Sequence, residues 1–164
     1  MFETLAPIYA AGILLVIVAA VAAVAWRAYK QAELRRRVAS SEPIAAADFL
    51  RDWRIGKRGS GLGYSSMDRP GCYVILTNPR QQGADIGYDA VYVGQSVKVC
   101  SRVRQHLTGH GNGDVYADVR EGKDVQVRIV PCEKAAMNAT EKELIAAFRA
   151  TDSYNRTRGG AKRR

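Results

Sequence analysis

From Leu5 to Trp26 the chain carries no charged side chain, and the middle of this stretch reads Ile13-Leu14-Leu15-Val16-Ile17-Val18. About 22 residues rising roughly 1.5 Å each give a helix of about 33 Å, enough to cross the hydrocarbon core of a bilayer. A helix on the surface of a soluble domain keeps a polar stripe, so apolar character on every face points to lipid. The rival is a cleaved signal peptide, which opens with positive charge and has a shorter apolar core. Here the start is Met1-Phe2-Glu3, and the cations come afterwards as Arg27, Lys30, Arg35, Arg36 and Arg37. Alanines at 19, 20, 22, 23 and 25 weaken the drive to insert and imitate a cleavage site. The expectation is one retained transmembrane helix over residues 5–26. Cations on its C-terminal side place the remainder in the cytoplasm, with Trp26 and Tyr29 at the headgroup boundary. The expected product is a single-pass membrane protein with a cytoplasmic C-terminal domain.

A formal net charge of +9 and a pI near 9.7 suit a polyanionic partner, either nucleic acid or an anionic membrane surface. The juxtamembrane cations assign part of that charge to lipid, so charge alone does not select nucleic acid. Cys72, Cys100 and Cys132 are odd in number and widely spaced. That argues against a disulfide framework and a zinc knuckle and suits a reducing compartment. Each is expected to be a small core residue. Neither a helix-turn-helix nor a zinc-finger pattern occurs, so no base-sequence specificity is expected.

Residues 27–69 read as a basic juxtamembrane helix followed by a flexible linker. Arg27 to Val38 continues the first helix in polar form. Ser41-Glu42-Pro43 offers a cap and a first-turn proline for a short helix holding Phe49, Leu50 and Trp53. Gly56 to Met67, with four glycines and three serines, reads as the linker. A compact domain then spans residues 70–160, and 161–164 is a basic tail. In the domain, Cys72 to Leu76 is an apolar run of strand length and Ala90 to Gly94 a further strand. Asn78 to Asp89 between them reads as a loop. Val97 to Leu107 fits a helix with Gly109 past its end. Val125, Val127 and Ile129 alternate with Gln126, Arg128 and Val130 as a third strand. Asn138-Ala139-Thr140-Glu141 resembles a capping box that opens a last helix. The pattern predicts an α+β fold, a small three-stranded, mainly antiparallel sheet flanked by helices.

Gly71-Cys72-Tyr73 on the first of these strands and Tyr92-Val93-Gly94 on the next resemble the two halves of the GIY-YIG endonuclease signature. Arg102 lies eight residues after Gly94, and His106 lies four residues further. This resembles the family's helical arginine with a tyrosine or histidine one turn on. Glu141 is similar to the family's metal-binding glutamate and Asn155 to its closing asparagine, with Gly159-Gly160 trailing. The resemblance covers Pro70 to Gly160. Cysteine and valine replace the two central isoleucines, and the segment Asn78 to Tyr88 exceeds the family's usual spacing, which places the substrate groove in question.

The residue types suit phosphodiester hydrolysis, which needs an activated water and stabilised charge on phosphate and leaving oxygens. Glu141 supplies a hard oxygen for Mg²⁺ or Mn²⁺, at a helix N-terminus whose dipole would hold it. Arg102 would clamp the scissile phosphate. His106, one turn on, would orient a water or donate to phosphate, whereas His110, between two glycines, reads as a surface residue. The resemblance makes Tyr73, beside Tyr92, the group that relays or removes the water's proton. Gly71 and Gly94 admit close backbone approach, and Asn155 pins the last helix to the sheet. Arg104, Arg156 and Arg158 are candidate contacts to nucleic-acid phosphates. The expected activity is a metal-dependent endonuclease acting on DNA. The alternative is a non-catalytic module of the same fold, binding nucleic acid or protein at a membrane.

Overall fold

The computed structural model describes residues 6–54 and 62–156. Helix α1 (Ala6–Ala39) is continuous from the apolar segment into the basic one. From Gly12 onward its apolar stretch is exposed, and the helix is long and apolar enough to cross a membrane, a property that signal sequences share. From Leu34 onward the same helix turns inward, with Val38 and Ala39 buried in the domain core. Ser41 closes it by donating to Val38 O at 2.7 Å, so this serine ends one helix instead of capping the next. Strand β1 (Ile44–Ala45) follows, and α2 (Ala46–Arg51) starts without a side-chain cap.

The main sheet is built from β2 (Gly71–Thr77), β5 (Ala90–Ser96) and β6 (Val125–Pro131), with β1 on the edge. These four strands run in the order β1-β6-β2-β5, every pairing antiparallel. The fold is therefore α+β, with one strand more in this sheet than the pattern predicted. Two residues were too short a run to register as a strand.

Both faces of the sheet are covered, so β2 is buried along its whole length. Tyr73, Ile75, Val125 and Val127 pack on one side with Phe49, Val103 and Leu107. That side carries α2, α3 (Val99–Leu107) and α4 (Gly113–Arg120). Cys72, Val74 and Leu76 pack on the other side with Val38, Leu144, Ile145 and Phe148, under α1 and α5 (Met137–Ala147). The alternation in β6 thus does not mark a solvent face. Arg128 is buried, and its guanidinium donates to Ala39 O and Ser41 O at the C-terminus of α1. All three cysteines are free thiols in or beside the core.

Three further expectations need correction. Asn78 to Asp89 contains a hairpin, β3 (Arg80–Gln82) and β4 (Asp85–Gly87), turning at Gly83 with φ +61°. Its Ile86 is buried in the core, and Arg35 on α1 holds Asp85 at 2.9 Å. The start of the compact unit also moves ahead of Pro70. Phe49 is buried, and Tyr64, in a short 3-10 turn (Tyr64–Ser66), stacks on it at 4.6 Å. The described end of the expected linker is therefore packed, and residues 55–61 lie outside the described residues. Finally, α4 had no counterpart in the sequence pattern. Its cap is Asn112, whose Oδ1 accepts from Asp114 N and Val115 N.

Candidate active site

Strand β2 pairs Tyr73 with Gly94 on β5, and Ile75 with Tyr92, so Tyr73 and Tyr92 share the face under α3. The Tyr73 ring lies across Gly94. A Cβ at Gly94 would overlap the phenol oxygen and Cζ of Tyr73. Gly94 is thus required for space, since nothing about its backbone φ demands glycine. Gly71 is similarly tight, as a Cβ there would sit 3.0 Å from Val130 O.

His106, on the inward face of α3, completes an aromatic cluster. Its ring centroid is 4.6 Å from that of Tyr92 and 5.6 Å from that of Tyr73. The Tyr73 hydroxyl and His106 Nε2 are 2.9 Å apart. On the other side of the imidazole, the backbone N–H of Asn112 donates to Nδ1 at 2.7 Å. An amide N–H can only donate, so Nδ1 must be the bare nitrogen and Nε2 must carry the proton. His106 therefore donates to the Tyr73 oxygen. The expectation that this histidine would face water or phosphate is corrected: Nδ1 is engaged by Asn112 N and Nε2 by the Tyr73 oxygen.

Arg102 is half-buried one turn earlier and donates to Gln105 at 2.6 Å. Burial drives the Tyr73 phenol well above its ordinary range, and the neighbouring Tyr92 adds to this. The Arg102 guanidinium pulls it back through charge and hydrogen bonding, and Glu141 adds a smaller upward push. Arginine, glutamate and both phenols thus lie within electrostatic reach of one oxygen.

Glu141 arrives from the opposite face, around the edge strand. Gln95, next after Gly94, donates to Glu141 Oε2 at 2.9 Å and to Asn138 Oδ1 at 2.7 Å. The capping expectation fails here. Helix α5 starts at Met137 after Ala136, and Asn138 spends its side chain on Gln95. Glu141 therefore stands in the second turn, where the helix dipole holds it less than at a terminus. Its half-buried carboxylate is steered by Gln95 instead. Among the described residues no group of three His, Cys, Asp or Glu side chains gathers for a metal. A single carboxylate suits Mg²⁺, which keeps several of its waters and needs one or two protein carboxylates.

The C-terminal segment covers part of the β5 edge. Ser153 Oγ accepts from Val91 N, Tyr154 N donates to Val91 O, and Asn155 makes both bonds to the Val93 backbone at 2.8 and 2.7 Å. Asn155 thus fastens the chain to the sheet, as its place in the sequence suggested. Tyr154 is held in turn by Asp118, buried on α4, which also accepts from Thr77 and Lys123. Burial raises the Asp118 carboxyl, but the Lys123, Thr77 and Tyr154 hydrogen bonds together bring it below the ordinary value.

Arg104 lies over the Trp53 ring at 5.4 Å, Arg156 is exposed, and Arg158 lies outside the described residues. Gln95 and Asn112 were not foreseen from sequence. Asn112 carried a signal, being a cap residue ahead of Gly113-Asp114, whereas Gln95 carried none beyond following Gly94. No family model, curated protein or solved structure matches this chain.

Proposed function

We propose that the chain is a membrane-anchored endonuclease of the GIY-YIG type, hydrolysing DNA phosphodiester bonds with one divalent ion, Mg²⁺ or Mn²⁺. The observation carrying this reading is the Tyr73 oxygen. It is buried, receives the Nε2–H of His106 and lies under the pull of Arg102, with Glu141 in reach. A core tyrosine needs one hydrogen-bond partner; here His106 donates to the oxygen while the Arg102 charge pulls against the larger upward push of burial.

Tyr73 takes the proton of the attacking water once its own proton has gone. Burial opposes that loss, and the His106 and Arg102 donors favour it. His106 holds the phenol in place and stays a donor, because Asn112 fixes its tautomer. Arg102, on the same helix face, also pairs with the scissile phosphate. Glu141 is the residue that would hold the ion, kept in place by Gln95. When bound, the ion supplies positive charge to the phosphate and leaving oxygens. The anchor is α1, whose cations follow its apolar segment and would keep the domain on the cytoplasmic side.

The test is nicking of supercoiled plasmid by the full chain in lipid nanodiscs with Mg²⁺. Wild type should convert the plasmid to open circle, and Glu141→Ala should do so at least about a hundredfold more slowly. Equal cutting by both proteins would end the enzyme reading.

A further inference from the structure

Helix α1 and helix α5 cross the same face of the sheet in opposite directions. Arg35 bonds the β4 hairpin, whereas Ala39 O meets Arg128 in mid-sheet. Met137 O meets Cys72 at one end, whereas Phe148 O meets Tyr88 at the hairpin end. Where α1 leaves the domain towards its apolar segment, the two helices frame an open groove of about 870 Å³. Its walls include Trp26, Arg27, Lys30 and Arg37 on α1 and Lys142 on α5. Glu33 and Glu143 also line it, so cations outnumber carboxylates four to two.

The groove adjoins the apolar surface directly. Val21 and Val24, just before it, are exposed, and Trp26 is 61% exposed with the Lys30 ammonium 5.4 Å over its ring. An aromatic ring beside cations, at the end of an apolar segment, matches the boundary where acyl chains give way to phosphates. We infer that this groove binds the headgroup of an anionic phospholipid, with Arg27 and Lys30 on one side of the phosphate and Lys142 on the other. The inference rests on the membrane-anchored reading. Nucleic acid is the weaker occupant, because a duplex cannot follow the groove onto the apolar surface of α1.

The test uses the full chain carrying Trp53→Phe, which leaves Trp26 as the only tryptophan. The protein is placed in nanodiscs containing brominated phosphatidylglycerol or brominated phosphatidylcholine at equal mole fraction. Phosphatidylglycerol should quench Trp26 more strongly. Lys142→Glu should remove that preference, and Lys142→Gln should cut it by about fivefold, the worth of one interfacial cation. Arg149→Glu, just past α5 and outside the groove wall, should leave it intact. Equal loss with Arg149→Glu would mean diffuse attraction and overturn the site. Equal quenching by both lipids, or a preference abolished by a short DNA duplex, would overturn it as well. Those results leave the anchor standing. Quenching by neither lipid would overturn anchor and site together.

Discussion

The two ends of the β2–β5 pair are built on opposite plans. At the Thr77–Ala90 end the hairpin, Tyr88, Phe148 and Arg35 lock together through buried apolar side chains, the Arg35–Asp85 ion pair and the Tyr88 bond to Phe148 O. At the Gly71–Ser96 end the bonds of the described C-terminal segment to β5 stop at Val93, and polar groups gather around one phenol. The first end uses its polar bonds to fasten elements to one another, and the other gathers them around the Tyr73 oxygen and the Glu141 carboxylate. The hairpin lies at the end of the pair away from Tyr73 and Gly94; under the proposed reading the chemistry sits at the other end.

Glycine substitutions test this contrast most sharply. Gly94→Ala should displace the Tyr73 ring and lower nicking by about a hundredfold or more, since small misplacements of a reacting group cost that much. Its thermal stability should fall far less than its activity. Gly83→Ala meets no neighbour but sits at φ +61°. It should cost about 1 kcal/mol of stability and leave nicking unchanged. If both variants lost activity alike, the two ends would not be separate.

The pH profile gives the next effect. Because burial holds the Tyr73 phenol well above its ordinary range, nicking should rise about tenfold per pH unit from about pH 7 to 9. His106→Gln should lower the rate across that range while leaving the KM for DNA nearly unchanged. A plateau below about pH 8 in wild type would take the base role away from Tyr73.

The third test concerns Asp118, which ties α4, Thr77 and Tyr154 together. Its folded-state value lies below the ordinary 3.8. Its contribution is therefore full at neutral pH and is lost as pH falls through and below about 4. Asp118→Asn should cost about 2 kcal/mol at neutral pH, and its melting curve should converge on wild type in acid. The smallest effect belongs to Arg35→Gln. It removes a partly exposed ion pair to Asp85 and should cost less than about 1 kcal/mol with no change in nicking.

The strands and the helix that carry the candidate residues were legible from apolar runs and spacing, whereas the choice of Tyr73, Tyr92, Gly94, Arg102 and His106 came from the resemblance to the GIY-YIG signature. What stayed hidden depends on pairing across distance. Asn112 fixes the His106 tautomer from a loop six residues on, and a backbone N–H has no signature in sequence. Gln95 steers Glu141 only because β5 and α5 meet at an edge. The burial of Arg128 was hidden because alternation reports a strand without saying how many faces are covered. Asn138 reads as a cap until Gln95 supplies a competing partner.

Helix α1 has one more consequence, which follows from its lack of a break. About 13 residues separate Trp26 from Ala39, so roughly 20 Å of rigid rod joins a bilayer-sized segment to the sheet. A domain mounted this way cannot swing on a leash. Under the anchored reading its catalytic mouth stays at a set height above the lipid, and it travels only as the rod drifts sideways. DNA would be cut when it enters that thin layer, which makes position, more than affinity, the gatekeeper.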